Sequence, residues 1–111
     1  MEEISSAPSK KFSQSIEKLM LEIERQEKNF YLGQANSNSD DFLQFIEQME
    51  SFFHELMLIE KEKGEIIYFF QFLELLKVIL VAKEENNMTK IYYLLQEEFT
   101  PLLQELLREE R

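Results

Sequence analysis

The chain has 111 residues, no cysteine, two glycines, two prolines and a formal net charge of −10. That length suits one domain with a genuine core, and the missing cysteines exclude a disulfide framework or a thiolate zinc site while fitting a reducing cytosol. The acidity repels phosphate backbones and anionic headgroups, which argues against nucleic acid and membrane-surface partners.

Turn-rich β architectures need more glycine and proline than this. Leu and Phe lead the apolar set, and valine occurs only at Val78 and Val81. These preferences point to an all-α protein. The charge is uneven. Residues 1–35 carry five basic and six acidic side chains, a balance of −1, whereas residues 36–111 carry seven and sixteen, a balance of −9. Excess carboxylates on helix exteriors serve solubility; the functional counterpart is an acidic docking face for a basic partner.

In chain order, residues 1–8 are polar and without period, and are expected to form a flexible tail ahead of a domain over 9–111. Residues 1–11 lack the apolar core and small-residue cleavage site expected of a signal peptide. Ser9 is the expected cap of a first helix whose stripe is Phe12, Ile16, Leu19, Met20, Ile23, Phe30 and Tyr31. Gln26 and Glu27 interrupt that stripe, so the helix is expected to be weakest there. The loop is Asn36-Ser37-Asn38-Ser39, with Gly33 as an earlier possible C-cap. Ser39 or Asp40 then caps a second helix, whose first-turn acids Asp40 and Asp41 suit its dipole. Its stripe runs Phe42, Phe45, Ile46, Met49, Phe52, Phe53, Leu56, Ile59.

The boundary at residues 60–65 admits two readings. Either Gly64 closes the second helix and the chain reverses, or one helix runs from Asp40 to about Glu85, extending about 69 Å. The long helix would expose too much apolar surface in one copy and would require an intertwined dimer, so reversal is favoured.

The third helix, from about Glu65 to Lys83, contains the most informative stretch, Ile66 to Ala82. It is apolar on almost every side, and its strongly polar members Gln71, Glu74 and Lys77 recur every three residues on one narrow stripe. A helix so apolar is expected to be central, jacketed by the other helices, a partner or lipid. As a membrane span it is slightly short, interrupted by polar residues and flanked by acids. Asn86-Asn87 ends it, and Asn87 or Thr89 caps the fourth helix. There, Ile91, Tyr92, Leu94, Leu95, Phe99, Leu102, Leu103, Leu106 and Leu107 form the stripe. Pro101 sits inside this pattern and predicts a kink, because it lacks a backbone donor and clashes with the carbonyl of residue 97. Four helices with short links make an up-down-up-down bundle with helix 3 central and helix 4 kinked.

Little of this chain suits catalysis. His54 is the only histidine, so neither a two-histidine zinc site nor a di-iron motif can be written, and it is expected to pair with Glu50 on the surface. No nucleophile–base–orienter triad or phosphate cradle is present. The adjacent pairs Glu84-Glu85, Glu97-Glu98 and Glu109-Glu110 diverge by about 100° on a helix and read as solvated faces. The expectation is no enzyme, no cofactor and no metal. The aromatics of helices 2 and 3 are mostly core, but Tyr68, Phe69, Phe72, Tyr92 and Tyr93 are candidates for a partner-binding surface.

The run from Leu75 to Asn87 leads into Ile91–Leu106 through a short Asn-containing link. Leu94-Leu95, Glu98, Pro101 and Leu102-Leu103 there form a Leu-Leu-x-x-Glu-x-x-Pro-Leu-Leu pattern. Together with Tyr31–Gln34, Phe42 and Phe45–Glu47, this resembles an uncharacterised family of short, acidic, helical bacterial proteins, mainly over residues 31–107. The resemblance implies a helical bundle and carries no activity with it.

The reading that follows is a cytosolic interaction module, adaptor-like or export-chaperone-like by analogy of fold and composition, which binds a partner helix or a second copy. Its rival is a bundle carrier or enzyme with a buried polar cluster near Gln71, Glu74 and Lys77. Glu74 and Lys77 can instead pair on the helix surface.

Overall fold

The computed structural model describes the backbone of residues 2–110 and the side chains of residues 11–110. No strand occurs among the described residues. The helices are α1 (Glu2–Tyr31), α2 (Asp40–Lys63) and α3 (Phe69–Glu84), then α4 (Met88–Leu94), a π-helical turn (Leu95–Phe99) and α5 (Thr100–Glu110), the last three forming one continuous rod. The backbone of α1 already begins at Glu2, so the expected cap Ser9 lies inside it. The expected tail over residues 1–8 falls outside the described side chains.

Each rod packs against two others. α1 contacts α2 on one side and α4 and α5 on the other, while α3 lies between α2 and the α4/π segment. The extents of 49 × 23 × 22 Å fit this four-rod arrangement, since α1 is about 45 Å long and packed helices lie about 8–10 Å apart. They leave no room for the alternative helix from residue 40 to 85.

Three helices end in the same way. After α1, Gly33 donates to Phe30 O and Gln34 to Asn29 O; after α2, Gly64 donates to Lys61 O and Glu65 to Glu60 O; after α3, Asn86 donates to Lys83 O and Asn87 to Ala82 O. This paired pattern absorbs carbonyls left over at a helix terminus and requires one left-handed residue. Gly33 (φ 72), Gly64 (φ 81) and Asn86 (φ 55) supply it. The next helices start on side-chain caps, Ser39 accepting from Phe42 N and Asn87 from Lys90 N.

The start of α3 is capped differently. Its first turn begins at Phe69, later than the expected Glu65, and the free backbone donors are taken by Glu60, a buried carboxylate in the last turn of α2. Oε2 accepts from Ile67 N at 3.1 Å and Tyr68 N at 2.8 Å, and Oε1 from Phe69 N at 2.9 Å. A negative charge at a helix N-terminus also meets the favourable end of its dipole. One side chain thereby closes the link between α2 and α3.

The core draws aromatic rings from every rod. Phe12 stacks on Phe52 at 5.4 Å; Phe72 meets Phe52, Phe53 and Phe99 at 5.8, 5.7 and 5.2 Å. Aliphatic residues of the expected stripes, Ile16, Leu19, Met49, Leu56, Ile79, Ile91 and Leu103 among them, fill the rest.

One expectation requires correction, and two features take a form the residue pattern did not specify. Helix α3 is not the enclosed centre: Phe72, Leu76, Ile79 and Ala82 are buried, but Phe70, Val78 and Val81 on its other side face water. In a two-by-two arrangement every rod has an outer side, however apolar its sequence. Gln26, which interrupts the apolar stripe of α1, is buried, and its amide donates to Asp41 Oδ2 at 3.1 Å. Arg25 bonds the same carboxylate at 2.6 Å, which holds Asp41 below the ordinary aspartate range, with the Gln26 bond adding to the effect. Finally, the structure forms a π-turn next to Pro101, with Thr100 N–H donating to Leu95 O. Pro101 has no N–H for the carbonyl of residue 97, and widening the turn accommodates the mismatch.

Replacing Glu60 with Ala strands three backbone donors and is expected to lower unfolding stability by about 3 kcal/mol. Glu60→Gln, which keeps one acceptor oxygen, is expected to cost roughly half of that. Urea denaturation of the three proteins measures both, and an Ala variant as stable as wild type would refute the clasp.

Candidate protein-interaction surface

The five residues expected at a partner surface separate in the structure. Tyr68 and Phe72 are core, which corrects their assignment: Phe72 is wholly buried among the other rings, and the Tyr68 hydroxyl donates to Glu105 Oε1 at 3.2 Å. Phe69 and Tyr92 are half-buried, and Tyr93 is 56% exposed. Tyr92 stacks on Phe30 at 4.5 Å and its hydroxyl donates to that of Tyr31. That bond, and then burial, pushes the Tyr92 hydroxyl up to about 12. Tyr31, Tyr92 and Phe30 thus form a second aromatic corner, on the α1–α4 side.

Five exposed apolar residues lie on α3 and the turn before it. Ile66, Ile67, Phe70, Val78 and Val81 are all solvent-accessible, with Phe70 at 57% and Val81 at 53%. Phe70, Val78 and Val81 share the outer helical face with Glu74 and Lys77, which are paired at 3.5 Å. That ion pair is the surface pairing the spacing allowed. It also removes the physical basis of a buried polar cluster, because Gln71, Glu74 and Lys77 are all exposed and Gln71 bonds only back to Ile67 O at 2.9 Å. Such an exposed pair is worth little to stability.

Beside this face runs a groove of about 610 Å³ between α3 and the fourth rod. Gln71, Glu74 and Leu75 line it from α3, and Tyr93, Glu97, Glu98, Pro101, Leu102 and Glu105 from the other wall. Half-buried Leu75 and Leu102 make its base; the four carboxylates are exposed. The volume falls in the range of small-ligand sites, which are normally enclosed and largely apolar; this groove is open and acidic. Glu97 and Glu98, adjacent in sequence and part of the π-turn, both line the fourth-rod wall of the groove. Pro101 was the signal in the sequence, since a missing donor next to a leucine-rich run disturbs the helix just before it.

Other candidate chemistry is not assembled. His54 is exposed and makes no bond to Glu50, and no group of His, Asp or Glu among the described residues could hold a metal ion. No helix among the described residues is long and apolar enough to cross a membrane.

Tyr68 carries the clearest electrostatic signature. Burial first, then the bonds to Glu109 and Glu105, raise its hydroxyl well above the usual tyrosine range. No protein-family model matches the chain, and neither a curated protein nor a solved structure matches it significantly.

Two outcomes check this partition of aromatics. Phe72→Ala is expected to cost about 3–5 kcal/mol of stability, from lost burial and the cavity left behind, whereas Phe70→Ala is expected to cost less than about 0.5 kcal/mol. Equal costs in urea melts would contradict the assignment of inner and outer faces. For Tyr68, the folded state favours the neutral hydroxyl, so its stabilising contribution is complete below the ordinary value of 10.0 and is lost as pH rises above it. Tyr68→Phe is therefore expected to flatten the loss of stability above pH 10, read as the difference between the two alkaline unfolding curves.

Proposed function

We propose that this protein is a non-enzymatic interaction module of the cytosol that works by binding another polypeptide, a partner helix or a second copy, through the outer side of α3. The observation that carries this is the row of exposed apolar side chains at Ile66, Ile67, Phe70, Val78 and Val81. Leaving such residues in water costs solubility, and a helix face that exposes several large apolar side chains around one ion pair suits a contact site. An adaptor-like or export-chaperone-like role fits a small acidic helical bundle, as does the resemblance of residues 31–107 to short acidic helical proteins.

The same proposal includes rods that alternate in direction and a fourth rod bent at Pro101. Two sets of contacts favour alternation. At one end, Ser37 and Asn38 of the α1–α2 link both donate to Asn86 Oδ1, at 3.1 and 2.9 Å. At the other, Lys63, the last residue of α2, pairs with Glu110 at 2.9 Å. The first and third links therefore meet, and the second meets the chain's last turn.

Affinity capture from native lysate, paired with sedimentation equilibrium, tests the function. Wild type is expected to recover a stoichiometric polypeptide or to self-associate, and the Phe70→Asp/Val81→Asp double variant to lose it while remaining folded. If wild type recovers no partner, stays monomeric and carries a bound small molecule in native mass spectra, the carrier alternative replaces this proposal.

A further inference from the structure

We infer that the groove between α3 and the fourth rod docks a cationic amphipathic helix, with Leu75 and Leu102 receiving its apolar stripe and Glu97, Glu98 and Glu105 receiving its basic flanks. This rests on the interaction-module proposal and specifies the chemistry of the partner.

Three observations favour that occupant. The wall from Tyr93 to Glu105 extends about 18 Å along the rod, which is a little over three helical turns. No strand edge is present among the described residues to which an extended peptide could add, whereas two packed helices with a half-apolar trough between them offer the helix-in-groove mode. The charge then selects the partner. Lys77 is engaged with Glu74, and neither Glu97 nor Glu98 has a cationic partner among the described residues. A chain of net charge −10 meeting its own copy across this groove would place acid against acid; a helix flanked by Lys or Arg reverses the sign of every contact. Glu97 and Glu98 both line the groove from within the π-turn, and such turns are frequent at functional positions.

The test uses a fluorescein-labelled helical peptide of about 14 residues, with Leu at i, i+4, i+7 and i+11 and Lys on both flanks. Anisotropy titrations at low salt compare it with a Leu→Ser peptide that retains every Lys and with a Lys→Glu peptide. The Leu/Lys peptide is expected to bind saturably and the Leu→Ser peptide at least tenfold more weakly. Glu97→Lys/Glu98→Lys is expected to weaken the Leu/Lys peptide at least tenfold and to gain binding to the Glu peptide. Circular dichroism and urea midpoints confirm that the variant is folded. Equal binding of the Leu/Lys and Leu→Ser peptides would mean plain charge attraction and overturn the inference, as would indifference to the double substitution. If the Leu/Lys peptide does not bind while wild type self-associates and Phe70→Asp/Val81→Asp does not, a second copy covers α3 and only the groove inference falls. If neither occurs and lysate capture is also empty, both fall.

Discussion

A single buried carboxylate sets the geometry on which the inner and outer faces of α3 depend. Glu60 sits at the end of α2 and accepts from Ile67, Tyr68 and Phe69, the residues that open α3. Burial of a charge is costly unless its hydrogen bonds are made; here three donors, themselves in need of partners, meet the two oxygens. The clasp fixes where α3 begins and hence the phase of its faces. Phe72, Leu76, Ile79 and Ala82 turn inward, and Phe70, Val78 and Val81 turn outward. A start four residues earlier would engage the Tyr68 and Phe69 donors within the helix and leave Glu60 at most the Ile67 donor.

The inner half of the molecule is consistent with that constraint. Phe72 occupies the meeting point of rings from α2 and the π-turn, while Phe12 joins them through Phe52. Polar contacts then tie the ends: Gln26 and Arg25 to Asp41, Ser37 and Asn38 to Asn86, Lys63 to Glu110. These bonds are individually modest. Together they register the links against one another, which burial, being non-directional, cannot do.

The outer half departs from what core packing alone would produce. An apolar α3 face and an acidic groove lie side by side, and the groove wall is shaped by a π-turn. The Thr100 hydroxyl next to that turn is the one buried side-chain polar atom among the described residues without a partner, a sign of local cost.

Much of the fold was legible in the residue order because it follows from short-range rules. The 3.6-residue stripes of α1, α2 and the fourth rod named the core, Ser39 and Asn87 named two caps, and Gly33, Gly64 and the Asn86-Asn87 pair named three stops. Where a contact joins residues far apart in the chain, periodicity carried no information. The bonds of Gln26 to Asp41 and of Tyr68 to Glu105 are of that kind, and so are the burial of Phe72 among distant rings and the single groove holding Glu74 and Glu97. Composition also misplaced α3: residues 66–82 are apolar all round, and hydrophobicity says how strongly a helix seeks cover but not how many neighbours the packing can give it. Four rods in a square give each one an inner side only, so the leftover apolar face, and the acidic trough beside it, became visible only once the rods were assembled.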